Sequence, residues 1–128
     1  MNNLLRTLTA ALIGAALCLL ATPFTACAGE DDGSWTSLGE YKITYYCNCR
    51  KCCGRWAGGP TASGSMPEQG RTVASSLPLG THLMIDGHEY VVEDRGVSGK
   101  HIDVYLNSHR ECLDRGVDRK TVYRWTED

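Results

Sequence analysis

Residues 88–105 read HEYVVEDRGVSGKHIDVY, and the fold is decided here. Two runs rich in β-branched and aromatic residues, His88 to Asp94 and His101 to Leu106, flank a polar turn containing glycine, the pattern of two short strands. In the second run, alternation puts His101, Asp103 and Tyr105 on one face and Ile102, Val104 and Leu106 on the other. Just upstream, Asp86-Gly87 is a tight hairpin signal joining His88 to a strand at Thr81 to Ile85. Further outward, Tyr41 to Tyr45, Thr72 to Ser75 and Thr121 to Trp125 read as three more strands. One helix interrupts them. Ser108 and Glu111 form a capping box, and Gly116 is placed to close the helix. Six short strands and one short helix in so few residues predict a mainly β fold, a small closed barrel, because closure hides the strand edges.

The remainder of the chain reads as an export signal and a leader. Arg6 precedes an apolar run from Leu8 to Leu20, followed by Pro23 and the small residues Ala26, Cys27 and Ala28, the form of a secretory signal over residues 1–28. A rival reading makes Cys27 the lipidated residue of a lipoprotein signal, but Phe24 fits that pattern poorly, and plain secretion to the cell wall is expected. Residues 29–40, GEDDGSWTSLGE, lack apolar periodicity and are expected to be a flexible leader. The domain is expected over residues 41–126, as a monomer with no stable membrane insertion once the signal is removed.

The net charge of the chain is −2, which argues against nucleic acid as a partner. Between Tyr41 and Trp125, however, 12 basic side chains face 9 acidic ones, a mildly basic body compatible with an anionic polymer. Five of the 7 cysteines lie beyond the signal: Cys47, Cys49, Cys52, Cys53 and Cys112. In an exported protein they read first as disulfide partners, with one bridge expected inside the loop, one to Cys112 and one thiol left over. The alternative is a metal site, although the two separated C-x2-C pairs of a zinc ribbon are lacking. With disulfides preferred, neither a metal nor any other cofactor is expected.

Two further features bear on chemistry. Thr61-Ala62-Ser63-Gly64 is a polar turn whose Thr61 and Ser63 hydroxyls suit a sugar, or simply local backbone hydrogen bonds. Asp103 stands on a strand among apolar neighbours, where partial desolvation and the charge of Asp94 raise its pKa and suit it to act as an acid. Pairing with Arg95, Lys100 or His101 is the purely structural reading of the same residue.

In order, T-A-S-G at 61–64, V-A at 73–74, L-P-L-G-T at 77–81, E-D-R-G at 93–96 and H-I-D-V-Y at 101–105 resemble the 3D domain, named for three aspartates. The resemblance runs from about Tyr41 to Trp125 and includes the Y-C-x-C-x-x-C-C-G lead-in of some members. It implies a double-psi β-barrel similar to the C-terminal part of membrane-bound lytic transglycosylase A and to stationary-phase survival cell-wall proteins. It further implies cleavage of peptidoglycan glycan strands, with Asp103 matching the third family aspartate as catalytic acid and Asp94 the second. His101 and Tyr105, with Thr61 and Ser63, are the expected sugar contacts. The first aspartate is missing, because the chain reads Val73-Ala74-Ser75-Ser76 there, and the segment between Asp94 and Asp103 is short for the family. The same barrel carries expansins, which loosen walls without cutting. A competing class is therefore a wall-binding module with Tyr45, Tyr46 and Trp56 as stacking platforms, and another is a hydrolase that uses both carboxylates.

Overall fold

The computed structural model describes residues 32–128; the signal region and Cys27 lie outside them. Six strands close into a barrel: β1 (Gly33–Tyr46), β2 (Thr72–Ala74), β3 (His82–Ile85), β4 (His88–Asp94), β5 (His101–Tyr105) and β6 (Asp118–Glu127). Around the barrel the order is β1-β5-β2-β4-β3-β6. The pairs β1–β5 and β2–β4 are parallel and the other four are antiparallel. Inward positions are mostly β-branched, the residues that pack best on a pleated surface. Ile43, Val73, Leu83, Val92, Ile102 and Val122 are at most 1% exposed, and full burial of each contributes about 1.5–3 kcal/mol. Among the described residues no helix is long and apolar enough to cross a membrane.

The expected hairpin is present. Asp86 (φ 50°) and Gly87 (φ 73°) both adopt positive φ between β3 and β4, as a primed two-residue turn demands. The expected helix, α2 (His109–Arg115), begins at Ser108, whose side chain accepts from the Glu111 amide, and ends at Gly116. A second short helix, α1 (Arg50–Cys53), followed by a 3-10 turn over Gly54–Trp56, was not anticipated from the sequence.

The leader is the main correction. Gly33 to Glu40, expected to be flexible, is the first half of β1 and pairs with Thr121 to Glu127 of β6. Trp35 stacks edge-on against Trp125 at 5.2 Å, and Leu38 packs against the core. At Gly33 a Cβ would overlap the Trp125 ring, so glycine is required for the close approach. The register shifts between Ser37 and Gly39, where Gly39 takes φ 86°. That bulge interrupts period-two alternation, and the surrounding Ser, Thr and Gly hide the strand further.

Candidate functional site

Asp94 and Asp103 are brought together by β2, which lies between their strands. Ala74 pairs with Asp103 of β5 on one side and with Asp94 of β4 on the other. Simple alternation would not have put them on one face. Val92 points into the core, so Asp94, two residues on, should follow it inward. Instead the register jumps from Val73–Val92 to Ala74–Asp94, leaving Glu93 as an extra residue that turns Asp94 outward. The small Ala74 side chain is buried with Tyr46 and Tyr105.

The two acids are held differently. Asp94 accepts three hydrogen bonds: from Tyr46 Oη at 2.9 Å, from the Ala62 amide at 3.1 Å and from the Arg95 amide at 2.9 Å. Asp103 accepts one among the described residues, from Thr44 Oγ1 to Oδ1 at 3.0 Å. Burial pushes the Asp103 pKa up, and the Asp94 charge adds to this; the Thr44 hydrogen bond and the charge on His101 act in the opposite direction. Thr44 also lies 2.6 Å from His101 Nε2. Since the threonine hydroxyl has a single proton, committed to Asp103, His101 Nε2 donates in turn, and a His101–Thr44–Asp103 chain results.

Of the other expected site residues, Thr61 and Ser63 sit beside Asp94, because the Ser63 amide donates to Glu93 O at 2.9 Å. Their hydroxyls bond each other at 2.9 Å; Thr61 is buried while Ser63 is exposed. His101 flanks Asp103 as alternation required. Tyr105, expected as a sugar contact, is buried and packed edge-on to Tyr46 at 5.5 Å. Tyr46 is likewise buried, which removes it from the expected stacking platforms; Trp56 is 69% exposed with Arg55 over its ring. Ser76 is exposed, and the Arg95 guanidinium braces this loop by donating to Ser75 O and Leu77 O.

Thr44 and the role of Tyr46 were missed in the sequence, although Thr44 occupies an outward alternating position of the strand read there and Tyr46 lies one residue past its expected end. Burial foremost, then the Asp94 carboxylate, pushes the Tyr46 pKa up, so its hydroxyl remains a donor. Tyr46→Phe is expected to cost about 1.5–3 kcal/mol, the usual range for a hydrogen bond to a charged group, measured by denaturant titration at pH 7. No change in midpoint would mean that the Tyr46–Asp94 bond contributes nothing.

The concavity formed by Tyr45, His88, Tyr90, Val104, Leu106 and Arg115 does not include either aspartate.

The expected disulfides are not formed, since all five described cysteines are free. Cys47 Sγ and Cys52 Sγ lie 3.8 Å apart, far beyond the bonded distance of about 2.05 Å. Cys53 turns away, donating to Cys47 O at 3.3 Å, and Cys112 is buried against Cys47 and Leu106. Cys47, Cys49 and Cys52 converge instead on His109, a residue the sequence reading passed over.

No protein-family model matches the chain, and no curated protein matches it. Among solved structures it is similar to MltA from Escherichia coli, at 22% identity and a TM-score of 0.48, over 56% of this chain and 28% of that one. A further structure of MltA, described as having a unique lytic transglycosylase fold, gives 22% identity and a TM-score of 0.48 over 54% and 28%. The chain spans little more than a quarter of the length of the structures it matches.

Proposed function

We propose that this protein is an exported enzyme that cleaves the glycosidic bond between N-acetylmuramic acid and N-acetylglucosamine in peptidoglycan, as a lytic transglycosylase with Asp103 as its single acid and base. The observation that carries this reading is the asymmetry of the acid pair. Asp103 is desolvated, with only one of its oxygens engaged among the described residues, whereas Asp94 has both oxygens occupied by three donors. The motif order that resembles the 3D domain supplies the substrate class.

Asp103 gives its proton to the glycosidic oxygen as the bond to the muramic C1 breaks. The fixed charge of Asp94 steadies the positive charge that develops on the sugar. The C6 hydroxyl of the same sugar then closes on C1, and its proton returns to Asp103. The product is a 1,6-anhydro ring, no water is consumed, and the carboxyl is restored. Hydrolysis would need a second carboxylate free to activate water, and Asp94 is too fully engaged for that role.

Mass spectrometry of the soluble products from purified sacculi tests this directly. Anhydro ends are expected. Reducing ends would transfer the protein to the hydrolases, and binding without release would favour an expansin-like module.

A further inference from the structure

Three sulfurs and one imidazole meet where β1 ends and α2 begins. Cys47 directly follows the last residue of β1, Cys49 precedes α1, Cys52 lies within α1, and His109 opens α2. All four ligand atoms lie within 4.8 Å of one another. His109 Nδ1 is 3.7 Å from Cys47 Sγ, 3.5 Å from Cys49 Sγ and 3.4 Å from Cys52 Sγ.

These spacings have a simple geometric meaning. A zinc ion bound tetrahedrally, with Zn–S of about 2.3 Å and Zn–N of about 2.0–2.1 Å, sets its sulfurs about 3.8 Å apart and each sulfur about 3.5 Å from the nitrogen. The Cys47–Cys52 separation of 3.8 Å and the three sulfur–nitrogen distances match those edges. The local backbone also fits. Cys49-Arg50-Lys51-Cys52 is a C-x2-C turn, closed by the Cys52 and Cys53 amides donating to Cys49 O at 3.2 and 2.8 Å. Three thiolates and a neutral imidazole around a divalent ion leave one negative charge, and Arg50, Lys51 and Arg110, each next to a ligand in sequence, are exposed cations that offset it.

We propose that Cys47, Cys49, Cys52 and His109 bind one zinc ion in a closed structural site that fastens the end of β1 to the start of α2. Soft thiolates select zinc over magnesium or calcium, and four protein ligands leave no position open for water or substrate. Binding releases the thiol protons to solvent and involves no oxidation. Cys53 and Cys112 take no part. The site is independent of the wall-cleaving reading, but it lies one residue from Tyr46, whose hydroxyl holds Asp94.

The test uses the purified protein, handled without chelator. Elemental analysis is expected to give one zinc per chain, and alkylation under denaturing, non-reducing conditions after chelation should modify all five cysteines beyond the signal. Cobalt substitution should give the visible d–d absorption and thiolate charge-transfer band of a tetrahedral site. Cys52→Ser and His109→Ala should lose the metal, whereas Cys53→Ser and Cys112→Ser should keep it. Should the ligand variants fail to fold, chelation of the parent replaces them: its melting temperature should fall by about 10 °C or more and recover when zinc is restored. A disulfide joining any two of Cys47, Cys49 and Cys52 in metal-free protein would overturn the proposal. So would full zinc occupancy in His109→Ala together with an unchanged cobalt spectrum.

Discussion

Asp103→Asn lowers the release of soluble fragments from sacculi by about a hundredfold or more, the scale usual for losing a general acid, and leaves binding to sacculi intact. The substitution keeps shape and the Thr44 hydrogen bond but has no proton to transfer. It carries a second signature in stability. The folded-state pKa of Asp103 lies above its unfolded value, chiefly through burial. Between those two values the native protein binds the extra proton, so stability falls as pH rises through them, and ionising the carboxyl is a burden on the fold. Asp103→Asn removes that burden. Its melting temperature should exceed the parent's at pH 7, and the difference should vanish below about pH 3.9, where the carboxyl is protonated in both states. Activity that falls while stability rises separates lost chemistry from a damaged fold. A variant that cuts at the parental rate, with both proteins folded, would remove Asp103 from the chemistry.

A chain beginning at Glu40 is expected to lose about 3 kcal/mol, which for a domain of this size lowers the melting temperature by roughly 10–20 °C. The truncation deletes the Gly33 to Gly39 portion of the β1–β6 ladder, the edge-on Trp35–Trp125 contact and the packing of Leu38 on the core. The aromatic pair alone accounts for about 0.5–1.5 kcal/mol. Differential scanning calorimetry of the two chains measures the fall. A drop of less than about 3 °C would mean that the ribbon is an ornament of the barrel and not part of its seam.

Much of this architecture was legible because it rests on local chemistry. Asp86-Gly87 can scarcely be anything but a hairpin turn, Ser108 with Glu111 marks a helix start, and the alternation of His101 to Leu106 assigns the Asp103 face correctly. What escaped was non-local or broke a period. The bulge at Gly39 hid half of β1. The bulge at Glu93 decided the direction of Asp94, which no count along the strand would reveal. Thr44 lies 59 residues from Asp103 and His109 lies 57 from Cys52, so each pairing exists only once parallel strands or a distant helix are brought alongside. For the cysteines, the redox compartment was the available guide, and it pointed to bridges where the geometry instead gathers thiols around an imidazole.

The placement of the Gly39 bulge fixes where this chain can change in length. From Lys42 to Tyr46, β1 is paired residue by residue with β5 and runs straight into Cys47. Adding or removing a single residue there would turn Thr44 and Tyr46 into the barrel and Ile43 outward, releasing both aspartates in one step. Ahead of the bulge, the same change would displace Trp35 from Trp125 and Leu38 from the core, but it leaves the pairing of β1 with β5 that holds the acids untouched. A change in length therefore costs stability on the amino-terminal side of Gly39 and the site itself on the other, and the glycine marks the boundary between the two regimes.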